Sequence, residues 1–237
     1  MQSTNLLWTS GWDSTFRLVS LVSEGATVQP YYVRDRRRRS WVTELETQDR
    51  IKAALATDLI LPTIVMERED IPADPAITAA YEHLLSKAYI GDQYDWLSRM
   101  AHHLELSDLE LSVHVDDRLY EHLKGHVRGD AISPEAPGEL DFLRVFRFPI
   151  LMLTKRDMEI KAKELGFSHI MEMTWFCFKP INGQPCGGCN PCLYTISEGL
   201  ARRVPLKNRV RSRLRSVYTK LKDQAKRTIF KEARTTQ

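Results

Sequence analysis

The chain has 237 residues, 43% of them hydrophobic, and a formal net charge of +3. Such a chain can build one large domain or a domain with an appendage, and no run approaches the roughly 18 apolar residues that a membrane span requires. The opening stretch MQSTNLLWTSGWDST has no basic region followed by a long apolar segment, so the expected setting is cytoplasmic and reducing.

In chain order, Asn5 to Trp8 predicts a short strand, and Phe16, Leu18, Val19 and Val22 predict a helix that Gly25 can end. Between them, WTSGWDST places Thr9, Ser10, Gly11, Ser14 and Thr15 at a helix start, where free N–H groups and the positive dipole end favour an anion. The plain alternative is an ordinary turn capped by Ser and Asp. The Gly-Lys-Ser/Thr ending of a Walker loop is missing. A second strand is expected over Val28 to Val33, a helix over Glu44 to Thr57, and a strand over Leu59 to Met66. Two helical stretches from about Pro75 to Leu106 are interrupted at Gly91. Leu109 to Val115 alternates as a strand, Leu143 to Leu153 is apolar and extended, and Thr154 caps a helix presenting Met158, Ile160 and Leu165 before Gly166. Such alternation predicts a Rossmann-like α/β fold, a parallel sheet with helices on both faces and ligands at the carboxyl ends of the strands. His102, His103, His114 and His126 have no metal spacing and read as surface or packing residues. Trp8, Trp41 and Trp96 read as core, whereas Trp12 sits inside the anion loop and either packs beneath it or borders a nucleotide.

All four cysteines fall within sixteen residues, as Cys177, Cys186, Cys189 and Cys192. Gly187, Gly188 and Pro191 between them let backbone N–H groups approach sulfur, and four thiolates suit a closed, structural zinc site. Two disulfides or an iron–sulfur cluster are the alternatives. After residue 200 the composition changes. Residues 201–237 carry thirteen Lys and Arg against Asp223 and Glu232, leaving 21 basic against 29 acidic residues in 1–200. Val210, Leu214, Val217, Tyr218 and Leu221 share one helix face among arginines and lysines. A basic amphipathic tail of this kind can dock on the acidic body or on a second subunit, follow a nucleic-acid backbone, or lie on an anionic membrane. The expected organisation is an α/β domain over 1–170, a metal-binding segment over 171–200 and the tail over 201–237.

WTSGWDST resembles the Ser-Gly-Gly-x-Asp-Ser-Thr loop of the PP-loop ATP pyrophosphatases, with Thr9 and Ser10 where that superfamily has Ser and Gly. PILMLTKRDMEIKAKELGF is similar to its Pro-Leu…Thr-Lys segment, and MTWFCFKPINGQPCGGCNPC resembles the zinc segment of its 7-cyano-7-deazaguanine synthase (QueC-like) branch. The resemblance spans most of residues 4–200. It implies ATP with Mg²⁺, a pyrophosphate loop of Thr9, Ser10, Gly11, Asp13, Ser14 and Thr15, Lys155 supporting the phosphates or the adenylate, and zinc on the four cysteines. The implied reaction is adenylation of a carboxylate such as 7-carboxy-7-deazaguanine, attack of ammonia or another amine, and dehydration to a nitrile. Arg36 to Arg39 with Glu44 are the nearest counterparts of the branch's polar loop. At YIGDQYDWLSRMA only Gly91 of a Gly-Arg-Asn segment is retained, and VDDRLYEHLKG replaces the branch's substrate loop. These departures admit a different acid or a macromolecular amine, and a transfer-RNA-modifying enzyme is a further alternative, although no cysteine lies outside the cluster to serve one. A homodimer is also open.

Overall fold

The computed structural model describes residues 3–215; Val217, Tyr218 and Leu221 of the expected tail face lie outside them. It divides into two compact units, Met1–Trp175 and Phe176–Gln237. Among the described residues no helix is long and apolar enough to cross a membrane.

The first unit is an α/β layer structure. Strands β1 (Thr4–Leu7), β2 (Val28–Arg34), β3 (Ile64–Glu67), β4 (Leu109–Glu110) and β7 (Phe146–Arg147) form one sheet in the order β3-β2-β1-β4-β7. Every pairing is parallel, with Tyr31 opposite Ile64, Leu6 opposite Pro30 and Glu110, and Leu109 opposite Phe146. Its helices are α1 (Trp12–Ser23), α2 (Trp41–Leu55), α3 (Pro75–Lys87), α4 (Gln93–His103), the single turn α5 (Tyr120–Leu123), α6 (Lys155–Glu164) and α7 (Ser168–Met173). A two-stranded antiparallel arm, β5 (Val127–Arg128) and β6 (Ala131–Ile132), follows α5.

Period-two alternation along β2 shows that both faces are covered. Tyr31 and Val33 join the core cluster with Tyr81 and Leu84 of α3 and Tyr94 and Leu97 of α4. Between them, Tyr32 points the other way and donates its hydroxyl to Glu44 of α2 at 2.7 Å. Buried strand residues of a parallel sheet need an apolar layer on each side, which is why VQPYYVR reads as a nearly continuous hydrophobic run.

Several elements differ in length from the sequence expectation. The strand expected over Leu59 to Met66 is broken. Ile60 makes an isolated bridge to Val28, and regular pairing resumes only at Ile64. Pro30 and Pro62 sit at this gap and cannot donate to the ladder. The expected strand from Leu109 pairs regularly over two residues, although Leu111 N–H still donates to Arg147 C=O at 2.8 Å. The helix expected from Glu44 begins at Trp41 and stops where Ala56 turns left-handed (φ 46°). Helix α6 has the expected start: Thr154 accepts from Asp157 N–H at 3.1 Å while the Asp157 carboxylate accepts from Thr154 N–H at 2.8 Å, a reciprocal capping box.

Chain order runs outward from β1 to β3 on one side and then from β4 to β7 on the other. The direction reverses between β1 and β4, the switch point at which open α/β sheets generally place a ligand crevice beyond the carboxyl ends of the strands. One buried ion pair sets the spacing there. Arg17 of α1 makes a bidentate bond to Glu110 of β4, at 2.7 and 2.8 Å. Arg17 lies one helical turn beyond Asp13, so this clamp also holds Asp13 toward the segment after β4.

In the second unit, α8 (Asn190–Thr195) is capped by Cys189 and carries Cys192, and helical backbone resumes over 206–215.

Candidate active site and candidate metal centre

The loop leaving β1 is pinned on three sides. Gln48 Nε2 donates to Trp8 C=O at 2.7 Å, Trp175 N–H donates to Ser10 C=O at 2.9 Å, and Trp8 Nε1 donates to Thr15 Oγ1 at 3.0 Å. Thr9 N–H donates to Ser14 Oγ at 3.3 Å. Gly11 is the N-cap of α1 in an extended conformation and provides no capping side chain. The first-turn N–H groups are therefore left for another acceptor. A Cβ on Gly11 would stand 3.2 Å from Thr9 Oγ1, a tight fit. Ser10 has φ 57°, the left-handed region natural to glycine, which accounts for the glycine at this place in the resembling superfamily. Trp12 is buried.

Thr15, expected in the anion loop, uses its hydroxyl on Trp8 and is fully buried, so it supports the loop from below. Asp13 points into the crevice. Its Oδ2 lies 3.6 Å from Lys155 Nζ and 3.7 Å from His114 Nε2. Its Oδ1 and the hydroxyl of Ser10 are buried without a hydrogen-bond partner among the described residues. An ionised carboxylate oxygen in that state is costly, and an added donor or cation would relieve it. Lys155, the first residue of α6, has a side chain only 12% exposed. It is brought to Asp13 from 142 positions away, in place of the solvent-facing lysine that its first-turn position also allows.

His114, read from sequence as a surface or packing histidine, has its Nε2 3.7 Å from Asp13 Oδ2. It is buried at the carboxyl end of β4. Asp116 N–H donates to its Nδ1 at 3.3 Å, so a neutral ring carries its proton on Nε2, the nitrogen facing Asp13. Behind it, Asp117 accepts from Leu119 N–H at 2.9 Å and from the Tyr94 hydroxyl at 3.1 Å. Burial, reinforced by the Asp13 charge, raises the Asp117 carboxyl above its ordinary range despite those two bonds and the His114 ring. Nothing in the local sequence marks His114, because its partner is 101 residues distant.

The polar loop after β2 is also rearranged relative to expectation. Glu44 faces inward and accepts from Tyr32 and from Ser40 Oγ at 2.6 Å. Arg37 and Arg68 instead converge on Asp35, and Arg34 and Arg36 on Glu67. These ion pairs fix the loop at the carboxyl ends of β2 and β3.

In the second unit Cys177, Cys186, Cys189 and Cys192 come together with all four sulfurs within 4.8 Å of one another. None forms a disulfide. The close S···S separations are 3.5, 3.8 and 3.9 Å. A tetrahedron with Zn–S bonds of about 2.3 Å has edges of about 3.8 Å, so the cluster fits a zinc-sized ion. Cys186 N–H donates to Cys177 Sγ at 3.2 Å, and Gly188 and Cys189 N–H donate to Cys186 Sγ at 3.5 and 3.3 Å. Contact with Cys189 pushes the Cys177 thiol up to about 12, while contacts with Cys177 and Cys192 hold Cys189 low. Protons shared in this way among crowded sulfurs are what a bound dication would displace.

The start of the basic tail is seated on this cluster. Asn208 is buried and donates through Nδ2 to Pro185 C=O at 2.8 Å. A Cβ on Gly187 would stand 2.7 Å from the Asn208 backbone, and one on Gly188 would meet Ser212 Oγ at 2.1 Å. The two glycines thus admit the tail helix as well as the N–H···S contacts. Asn208 and Ser212 face the cluster, and Val210 and Leu214 of the expected amphipathic face are 47% and 66% exposed.

No curated protein matches the chain closely enough to be called similar. Residues 139–201 match the family model of the queuosine biosynthesis protein QueC. The matched segment carries β7, Lys155 and all four cysteines, and excludes the Thr9–Thr15 loop. The match covers 63 of the 237 residues, and over that segment the chain is similar to QueC.

Proposed function

We propose that the protein is an ATP-dependent carbon–nitrogen ligase that activates a carboxylate as an acyl adenylate and transfers the acyl group to ammonia or another amine. The observation that carries this is the convergence of Asp13, Lys155 and His114 at the switch point beside an uncapped, glycine-led helix start. The QueC match supports an ATP-using enzyme in the same direction. Thr9, Ser10, Gly11 and Ser14 cradle the phosphates that leave as pyrophosphate, with Thr15 bracing the loop. Magnesium, when bound, shares the phosphate charge, and Asp13 Oδ1 is the buried carboxylate oxygen able to face it.

A carboxylate oxygen attacks the α-phosphorus, the α–β bridge breaks and pyrophosphate departs. Lys155 offsets charge developing on the transferring group, and the pinned loop holds it without reorganisation. The amine then attacks the acyl carbon, expelling AMP and releasing a proton to solvent, while the Nε2–H of a neutral His114 faces Asp13. With ammonia the product is an amide, and a second adenylation of the amide oxygen allows loss of AMP to a nitrile. The leading substrate is 7-carboxy-7-deazaguanine; another deazapurine or a macromolecular amine is the variant reading.

The test is incubation with ATP, Mg²⁺, ammonia and 7-carboxy-7-deazaguanine, with mass analysis of nucleotide and base. AMP, pyrophosphate and the nitrile or amide are expected; ADP as the acid-dependent product would reject the assignment.

A further inference from the structure

The loop that begins at Thr9 is joined to a cation by an unbroken line of hydrogen bonds. Gln48 and Lys52 lie one turn apart on α2 and so share one side of the helix. Lys52 Nζ donates to Thr63 Oγ1 at 2.7 Å, Thr63 Oγ1 donates to Gln48 Oε1 at 3.1 Å, and Gln48 Nε2 donates to Trp8 C=O at 2.7 Å. Thr63 is the residue before β3, next to the proline gap in the ladder. On the other side of the Trp8–Thr9 peptide, Thr9 N–H donates to Ser14 Oγ at 3.3 Å. Ser14 keeps its own hydrogen to give, to Thr9 Oγ1 at 3.3 Å or to an anion seated in the loop.

Chemistry at both ends fixes the direction of this line. An ammonium can only donate, and a carbonyl oxygen can only accept. Trp8 C=O therefore requires the amide nitrogen of Gln48, which turns Gln48 Oε1 to Thr63, and the single Thr63 hydroxyl hydrogen is used there. Thr63 is left to accept from Lys52. Every donor thus points from Lys52 toward the loop, and bonds aligned head to tail polarise one another. Water is excluded at the loop end, where Gln48 is 1% exposed and Trp8 is fully buried. The Lys52 ammonium also lies 5.8 Å from the centre of the Trp8 ring. Burial pushes its pKa below the ordinary lysine range, with Asp49 pulling the other way.

We propose that Lys52 is a positioning residue for anion binding: its charge, carried through Thr63 and Gln48, polarises the Trp8–Thr9 peptide and tightens the loop's hold on phosphate. The proposal rests on the reading of Thr9 to Ser14 as a phosphate cradle given above.

The full chain can be titrated with a fluorescent ATP analogue, and with magnesium pyrophosphate as its competitor. Lys52→Met and Thr63→Val should each weaken both ligands about fivefold, and the double variant should be no weaker than either single one, as two residues acting in one line require. Lys52→Arg should retain binding, because charge and donor are both kept. In the free protein the Thr9 amide proton should move upfield in Lys52→Met and Thr63→Val and hold its place in Lys52→Arg. Melting temperature and circular dichroism should stay close to wild type throughout. Unchanged affinity in Lys52→Met, losses that add in the double variant, or an unmoved Thr9 amide would overturn the proposal. So would a loss in Lys52→Met that Thr63→Val does not share, which assigns the effect to charge acting across space, or one matched by an equal fall in thermal stability, which assigns Lys52 to folding. A wild type that binds neither ligand would retire the phosphate cradle and this proposal with it, whereas wild-type binding with indifferent variants would retire the relay alone.

Discussion

At the scale of single residues, Asp13 and Ser10 make opposite predictions. Asp13 stands 25% exposed between Lys155 and His114 and contributes little packing. Asp13→Asn should lower acid-dependent pyrophosphate release on the order of 100-fold, the loss expected when one preorganised charged group is removed, while the melting temperature moves little. A comparable fall in both would assign Asp13 to folding instead. Ser10 holds a left-handed backbone while its hydroxyl has no hydrogen-bond partner among the described residues. Ser10→Gly should stabilise the protein by about 1 kcal/mol, raising the melting temperature by about 2–4 °C in a chain of this size. A lower melting temperature would mean that the Ser10 hydroxyl has a partner worth more than the strain. Asp13 and Lys155 were legible from motif resemblance, whereas His114 was invisible, because a lone histidine acquires meaning only from the side chain it meets.

At the scale of elements, the cysteine segment and the tail helix behave as one structure. The protein should hold one zinc per chain in stoichiometric amount, and Cys189→Ser should lower metal content and thermal stability together, since the binding energy of a structural site is folding energy. Stoichiometric iron with visible absorption would replace zinc by a cluster. Gly187 makes a sharper distinction. It has φ 77°, and a Cβ there would press into the Asn208 backbone. Gly187→Ala should release the 206–215 helix, seen as faster trypsin cleavage after Arg209 and Arg211 and faster amide exchange, even where metal is retained. Unchanged cleavage would show that the helix is held elsewhere. The cysteine cluster could be read directly from its spacing. The helix that closes over them could not, since Asn208 and Ser212 are ordinary polar residues until the two glycines are placed beneath them. Asn208 and Ser212 belong to a small polar face of that helix, distinct from the Val210 and Leu214 face that the amphipathic pattern marks.

For the whole molecule, the order of strands decides where chemistry can occur. The Arg17–Glu110 pair joins the two halves of the sheet at their switch point, and Glu110 is nearly inaccessible. Arg17→Met removes the cation and leaves that carboxylate buried alone, which should cost on the order of 3 kcal/mol. It should also lower activity beyond the loss in folded fraction, because the clamp that faces Asp13 toward His114 is gone. A stability change under half that size would show that water or another cation compensates. The α/β class, the Thr154-capped start of α6 and the cysteine cluster followed from sequence alone, because hydrophobic period, caps and ligand spacing are local physics. Strand lengths did not follow, since they depend on where prolines interrupt a ladder and where neighbouring strands part. The site itself was a tertiary decision. The sequence by itself determined a loop suited to phosphate and a cysteine cluster suited to metal; only the 3-2-1-4-7 strand order brought Asp13, His114 and Lys155 within 4 Å contacts, because residues 101 and 142 positions apart meet through the sheet and through nothing in the chain between them.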